Sequence, residues 1–203
     1  MPGSVKATPA KPERAPRRDA LRNRELVLEA AKAVFSAGGP EASLEAVARR
    51  AGVGIGTLYR HFPTREALYE AVYRREVDQL AELAEQLGRE AAPVQALRTW
   101  MKCNVEFAST KKGMAAALAL AAHKPPELTA YSFERLARAA EGLLKRGAAA
   151  GLLRADIEAE ELLRAMIGMS YLHDKPGWQK AVMRLMDVFV DGMTLQKPPV
   201  KTN

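Results

Sequence analysis

Residues 43–62, from Ser43 to Phe62, read SLEAVARRAGVGIGTLYRHF. Ser43 is a natural N-cap, because its hydroxyl can accept from the orphan N–H groups of a helix start. Leu44, Val47 and Ala48 fall on the inner face of that helix, and Gly52 suits the left-handed residue that closes it. A short second helix is expected from about Gly54 to Tyr59. Two helices joined by a tight turn cross steeply, which needs a small residue at the crossing, a glycine at the turn and an apolar anchor on each helix. Ala48, Gly52, Val53 and Leu58 meet those needs. With Leu58 turned inward, Ile55, Gly56, Thr57, Tyr59 and Arg60 are left largely outward, and His61 and Arg65 follow. Gly54 and Gly56 each weaken a helix by roughly 1 kcal/mol relative to Ala. They also remove side chains that would hold the backbone away from a partner surface. The plainer alternative, a helical hairpin that only packs, gives no reason for Tyr59, Arg60 and His61 to cluster.

The charge of the chain points the same way. The formal net charge is +7, yet Met1–Arg65 carries 12 Lys and Arg against 6 Asp and Glu, while the remainder carries 19 against 18. A basic first third followed by a neutral remainder fits a polyanion-binding unit joined to a second unit of another kind. Residues 1–18 hold Pro2, Pro9, Pro12 and Pro16 among basic side chains and are expected to form a flexible basic arm. They lack the apolar stretch of a signal peptide, and no run is long and apolar enough to span a bilayer, so a cytoplasmic protein is expected. The single Cys103 leaves no intramolecular disulfide and no cysteine-based zinc cluster.

Outward from the opening segment, almost everything has helical period. Val27, Ala31, Val34 and Phe35 mark a first helix ending at Gly38-Gly39-Pro40. Thr64 caps a long helix that Leu68, Val72, Val77, Leu80, Leu83 and Leu87 carry to Gly88. Further helices are expected from Pro93 to about Thr110, closed by Lys111-Lys112-Gly113, and from Met114 to Ala122. Others run from about Leu128 to Ala149, from Ala159 to Leu172 and from Trp178 to Leu195. This makes an all-α protein: a three-helix unit containing the helix-turn-helix, then a bundle of about six helices. The expected divisions are residues 1–18, 19–65, 66–196 and a tail at 197–203.

The stretches ELVLEAAKAVFSAGG (25–39), SLEAVARRAGVGIGTLYRHF (43–62) and PTREALYEAV (63–72) together resemble the tetracycline-repressor (TetR) family. The resemblance covers roughly Arg24 to Tyr73. It implies a repressor that binds a palindromic double-stranded DNA operator as a homodimer and is released by a small-molecule effector. It assigns Ser43 to a cap position that touches phosphate, with Leu44 beside it, and Thr57, Tyr59 and His61 to the DNA backbone. Arg65 matches a site usually held by Lys. Base readout is implied at Ile55, Gly56 and Arg60, where Ile55 could meet a thymine methyl and Arg60 a guanine edge. Arg17 and Arg18 of the arm could reach the minor groove or flanking phosphates.

The last helix pair carries apolar stripes: Leu162, Leu163 and Ile167 on one helix, and Trp178, Val182, Leu185 and Phe189 on the other. Such stripes suit either ordinary core or a partner, and the resemblance implies a four-helix dimer interface. In the middle helices Trp100, Cys103, Asn104 and Phe107 share helical spacing. Met114, Leu118, His123, Tyr131, Phe133 and Met169 could join them around a cavity, as could Met166 and Ser170. The resemblance implies an effector site there, for a mostly apolar compound. No cofactor or metal is expected. Other classes weighed are an enzyme, for which His61, His123 and His173 form no recognisable constellation, a redox-responsive repressor using Cys103, and a sequence-neutral nucleoid protein. The expected mechanism is a population shift, with the long helix after Thr64 linking effector to DNA.

Overall fold

A computed structural model describes residues 14–37, 42–117, 125–171 and 177–195. Eight helices account for nearly all of them: α1 (Arg14–Ala37), α2 (Leu44–Ala51), α3 (Ile55–His61), α4 (Arg65–Glu90), α5 (Pro93–Ala117), α6 (Pro126–Ala149), α7 (Ala159–Tyr171) and α8 (Trp178–Met193). Their ends follow from local chemistry. Ser43 Oγ accepts from Ala46 N–H at 3.1 Å and Thr64 Oγ1 from Ala67 N–H at 3.0 Å, so α2 and α4 both begin on side-chain caps. Gly52 closes α2 at φ +68°, a conformation costly for any residue with a Cβ. Pro93 and Pro126 open α5 and α6, where the missing N–H costs nothing.

Two boundaries differ from the sequence reading. Helix α1 starts at Arg14, inside the stretch expected to be an arm; Pro16 lies in its first turn, where proline is tolerated. Helix α5 runs unbroken through Lys111-Lys112-Gly113 to Ala117 instead of breaking into two. Tertiary packing overrides the helix-weakening glycine here: a Cβ on Gly113 would come within 3.3 Å of the Phe35 carbonyl oxygen, so the bare residue lets α5 close on α1. The two lysines are held as well, Lys111 on Tyr73 and Lys112 on the Ser170 carbonyl and the Trp178 ring. Five helices therefore follow the first three among the described residues, rather than about six.

One contiguous hydrophobic cluster runs from Val27 through Met193. Helix α4 is its spine, packing on α1, α5 and α6. Trp100 is fully buried against it, with Nε1 donating to the Leu80 carbonyl at 2.9 Å. Ion pairs tie α1 to α4: Lys32 lies 2.6 Å from Glu76, and Arg75 reaches Glu29 at 2.9 Å and Glu25 at 3.4 Å. Because Glu76 is buried, removing Lys32 would strand a charge, so this pair fixes where the first helices sit on α4. No described helix is long and apolar enough to cross a membrane.

Candidate functional site

Helix α3 is only two turns long, so its two faces are easy to separate. Leu58 is fully buried and Phe62, four residues on, is 3% exposed. Ile55 and Tyr59, also four residues apart, stay 39% and 44% exposed. Gly56 and Arg60 are exposed beside them, with Thr57 and His61 half-buried at the edges. Arg24 stacks its guanidinium over the Phe62 ring at 5.4 Å, and the His61 ring leans on Phe62 at 6.3 Å between centroids. The exposed side is thus anchored from behind by an apolar and aromatic base.

The glycines of this segment are not explained by the chain itself. Gly54 has φ −68° and Gly56 is helical, and a Cβ on either would meet nothing within 4 Å. Neither special backbone geometry nor internal packing demands a glycine at these two positions. What their bareness provides is close access to the backbone from outside.

The helix starts flanking α3 are electropositive. The Glu45 carboxyl is held below its ordinary value by its own backbone N–H, then by the Ser43 hydroxyl and, more weakly, by the charge of Arg65. That last influence links the α2 start to the α4 start, and Arg65 itself is exposed. Capped N-termini carrying partial positive charge beside an exposed arginine suit a phosphate chain. Leu44 needs correction as a contact residue: it is 3% exposed and its side chain belongs to the core. Arg18 is exposed on α1, while the side chain of Arg17 lies outside the described residues.

A second feature lies deeper. A cavity of about 310 Å³ sits between α4, α5, α6 and α7. Of the residues expected there, Asn104, Phe107, Met166 and Ser170 line it. Trp100 and Met114 do not; both are fully used as core. Cys103 lies off the wall, half-buried, with its thiol pushed up by burial and by nearby Glu106, which makes it less of a thiolate and less reactive. Tyr131 also points elsewhere: its hydroxyl donates to Asp78 at 2.5 Å and Arg74 lies over its ring. The Asp78 bond, with burial, raises the Tyr131 phenol. Leu118 and His123 lie outside the described residues. Phe133 lines it as expected, while Met169 packs against the core instead. Tyr73, Lys111 and Ser132 line the cavity without having been expected there. A wider groove of about 690 Å³ beside α6 is rimmed by charges that largely pair with each other or with neighbours, Arg138 with Glu134 and Lys145 with Glu141. It reads as solvated surface.

The final helix pair separates into two faces. Leu162, Leu163 and Val182 are buried within this one chain, which removes them as partner contacts. Trp178 is half-buried under the Lys112 ammonium. Ile167, Leu185 and Phe189 remain 41–44% exposed, and Val188, missed by the sequence reading, is 66% exposed. On α8 the set 185, 188 and 189 forms one exposed strip, adjoining the strip of buried Val182, Met186 and Val190. The signal was present in an apolar stripe on α8 wider than one chain's core covers.

Comparison with known proteins follows this division. Residues 27–72 match the family described as bacterial regulatory proteins, tetR family. Residues 92–195, about half of the chain, match the C-terminal domain of SbtR-like transcriptional regulators. The crystal structure of the TetR transcriptional regulator SCO0520 from Streptomyces coelicolor is 40% identical, with a TM-score of 0.74 over 86% of this chain and 99% of that one. A TetR transcription regulatory protein from Mycobacterium vanbaalenii is 32% identical, with a TM-score of 0.67 over 88% and 99%. HTH-type transcriptional regulators of Staphylococcus aureus are 40% identical over 63 residues, 30% of this chain and 34% of theirs. The match therefore spans about a third of the length of those curated relatives.

Proposed function

The chain belongs to the TetR family of bacterial transcriptional regulators, and from that premise we propose that it is a homodimeric repressor, working in the cytoplasm, that releases a palindromic operator when a small molecule fills the cavity. The observation that carries the DNA assignment is the split of α3: Leu58 and Phe62 buried, Ile55, Tyr59 and Arg60 outward, with two bare glycines leading into that face. Tyr59, Thr57 and His61 serve the phosphate backbone together with Ser43 and Arg65. Ile55 and Arg60 read base edges, and Gly56 lets the α3 backbone come close. Arg17 and Arg18 add flanking contacts. This division makes residues 19–65 the DNA-binding unit and residues 66–196 the ligand-binding and dimerising unit.

Dimerisation is supported by Leu185, Val188 and Phe189, which share one exposed apolar strip of α8, and by exposed Ile167 on α7, since exposed apolar surface of this kind marks an interaction site. Pairing two short reading helices multiplies affinity without new contacts on either one. Coupling is supported by Tyr73, the α4 residue on the cavity wall, and by the ion pairs that lock α1 to α4 at Arg75 and Glu76. A ligand that prefers a different setting of α4 shifts the population away from the DNA-competent one.

The test is a titration of the full chain against the noncoding DNA beside its own gene and against random DNA of equal length, at one fixed salt concentration. A preference of about 10³-fold or more is expected for a specific regulator. Equal affinity for both, falling together with salt, would mark a sequence-neutral DNA binder instead.

A further inference from the structure

Thirteen described residues line the 310 Å³ cavity, and Lys111 is the one charged side chain among them. The wall around it is otherwise apolar or neutral, with Phe107, Phe133, Leu136, Leu163 and Met166 contributing most of the body. The neutral polar groups are largely committed to the protein. Tyr73 donates its hydroxyl proton to Ser132 Oγ at 2.9 Å, and Ser132 passes its own to the Thr129 carbonyl at 2.9 Å. Thr129 bonds the Pro125 carbonyl, and the Asn104 amide bonds the Trp100 carbonyl. This chain of donors runs one way and begins at Lys111, whose Nζ donates to Tyr73 Oη at 3.1 Å and lies 4.7 Å from the centre of the Tyr73 ring.

Resting on the reading of this cavity as the effector site, we propose that the effector is a small organic anion, an apolar or aromatic body with one carboxylate-like end, and that Lys111 is its anchor. Charge decides the class. An ammonium on an apolar wall attracts an anion far more strongly than it would in water and repels a cation. Its three protons on a flexible stem let it turn from the Tyr73 hydroxyl toward an incoming oxygen. Volume sets the scale, since 310 Å³ lies at the lower end of the range for ligand sites, about 300–1,000 Å³. The aromatic rings of Tyr73, Phe107 and Phe133 favour a flat or short-chain body over a long one.

The experiment uses two matched pairs of probes, 1-naphthoate with 1-naphthamide and octanoate with octanamide, titrated calorimetrically into the full chain. Each acid is expected to bind at least tenfold tighter than its amide. Lys111→Met should bring acid and amide within about twofold of each other, and Lys111→Arg should restore part of the preference. The acid-to-amide ratio on the native chain tests the inference even if Lys111→Met fails to fold in a thermal melt. Equal binding of acid and amide would overturn the anionic class while leaving the cavity as an effector site. A preference for acid that survives in folded Lys111→Met would overturn the role of Lys111. Failure of all four probes to bind would count against the cavity as a small-ligand site and take the inference with it.

Discussion

The outward face of α3 and the wall of the cavity are built in opposite ways. On α3 every exposed group lies within a few residues of the side chain that anchors it: Ile55, Tyr59 and Arg60 are set by Leu58 and Phe62. The cavity draws on four helices, from Tyr73 on α4 to Ser170 on α7, and spacing along one helix marks a stripe without saying which other helices complete the wall. The first is a surface fixed by helical period and burial alone. The second exists only once α4, α5, α6 and α7 have met. A local site of this kind tolerates change elsewhere, whereas an assembled one responds to any shift of the helices around it, which is the behaviour a ligand-gated element needs.

Four variants test that contrast. Phe189→Glu with Leu185→Glu should have the largest effect, because it places charge on the exposed face of α8 and leaves α3 untouched. The chain should become monomeric by light scattering, with operator affinity reduced about 10²–10⁴-fold, the span by which linking two binding events raises avidity. A dimer that persists would move the interface elsewhere. Leu58→Ala removes the anchor itself, and a fully buried leucine costs about 2–5 kcal/mol when truncated. Chemical denaturation should show that loss, and a cost below about 1 kcal/mol would mean that α3 is held by something other than Leu58.

Gly56→Ala separates stability from function. The free chain has room for the methyl group, so helix propensity should raise stability by up to about 1 kcal/mol. DNA affinity should fall in the same variant, because the methyl group stands between the α3 backbone and its partner. A variant both more stable and unimpaired in DNA binding would show that Gly56 does not serve close approach. Tyr59→Phe is the mildest change. Losing one hydroxyl should weaken binding by about 1 kcal/mol, equally for all DNA sequences, as measured by fluorescence anisotropy at fixed salt. An unchanged affinity would remove Tyr59 from the contact set.

The same contrast explains what could be read from the sequence. The helix-turn-helix was legible because its signals are short-range: a capping Ser43, a closing Gly52, and Leu58 set against Tyr59. The all-helical plan was legible for the same reason. Leu44 was misassigned because matching a motif does not tell a buried position from an exposed one. The break expected at Lys111-Lys112-Gly113 failed because the backbone of α1, more than seventy residues earlier, rewards a bare residue at Gly113. Trp100 and Cys103 share α5 with true wall residues and Tyr131 shares α6 with them, but Trp100 bonds the Leu80 carbonyl, Tyr131 bonds Asp78 and Cys103 lies off the wall, and nothing local records which way a helix turns in a bundle. Lys111 escaped notice because the expected break took it off the α5 stripe that Asn104 and Phe107 mark, and Tyr73 because its meeting with Lys111 spans 38 positions. On α8 the period marked a wide apolar stripe but could not say which edge of it the chain itself would cover.

The central claim is that α3 reads DNA sequence as one half of a symmetric pair. Selection of duplexes bound by the full chain from a random pool tests it most directly. An enriched inverted repeat is expected, with half-sites about one helical turn, or a multiple of it, apart. Arg60→Ala should then relax the preference at a single position in each half. A recovered pool with no enriched motif, or with a single unrepeated element, would contradict it.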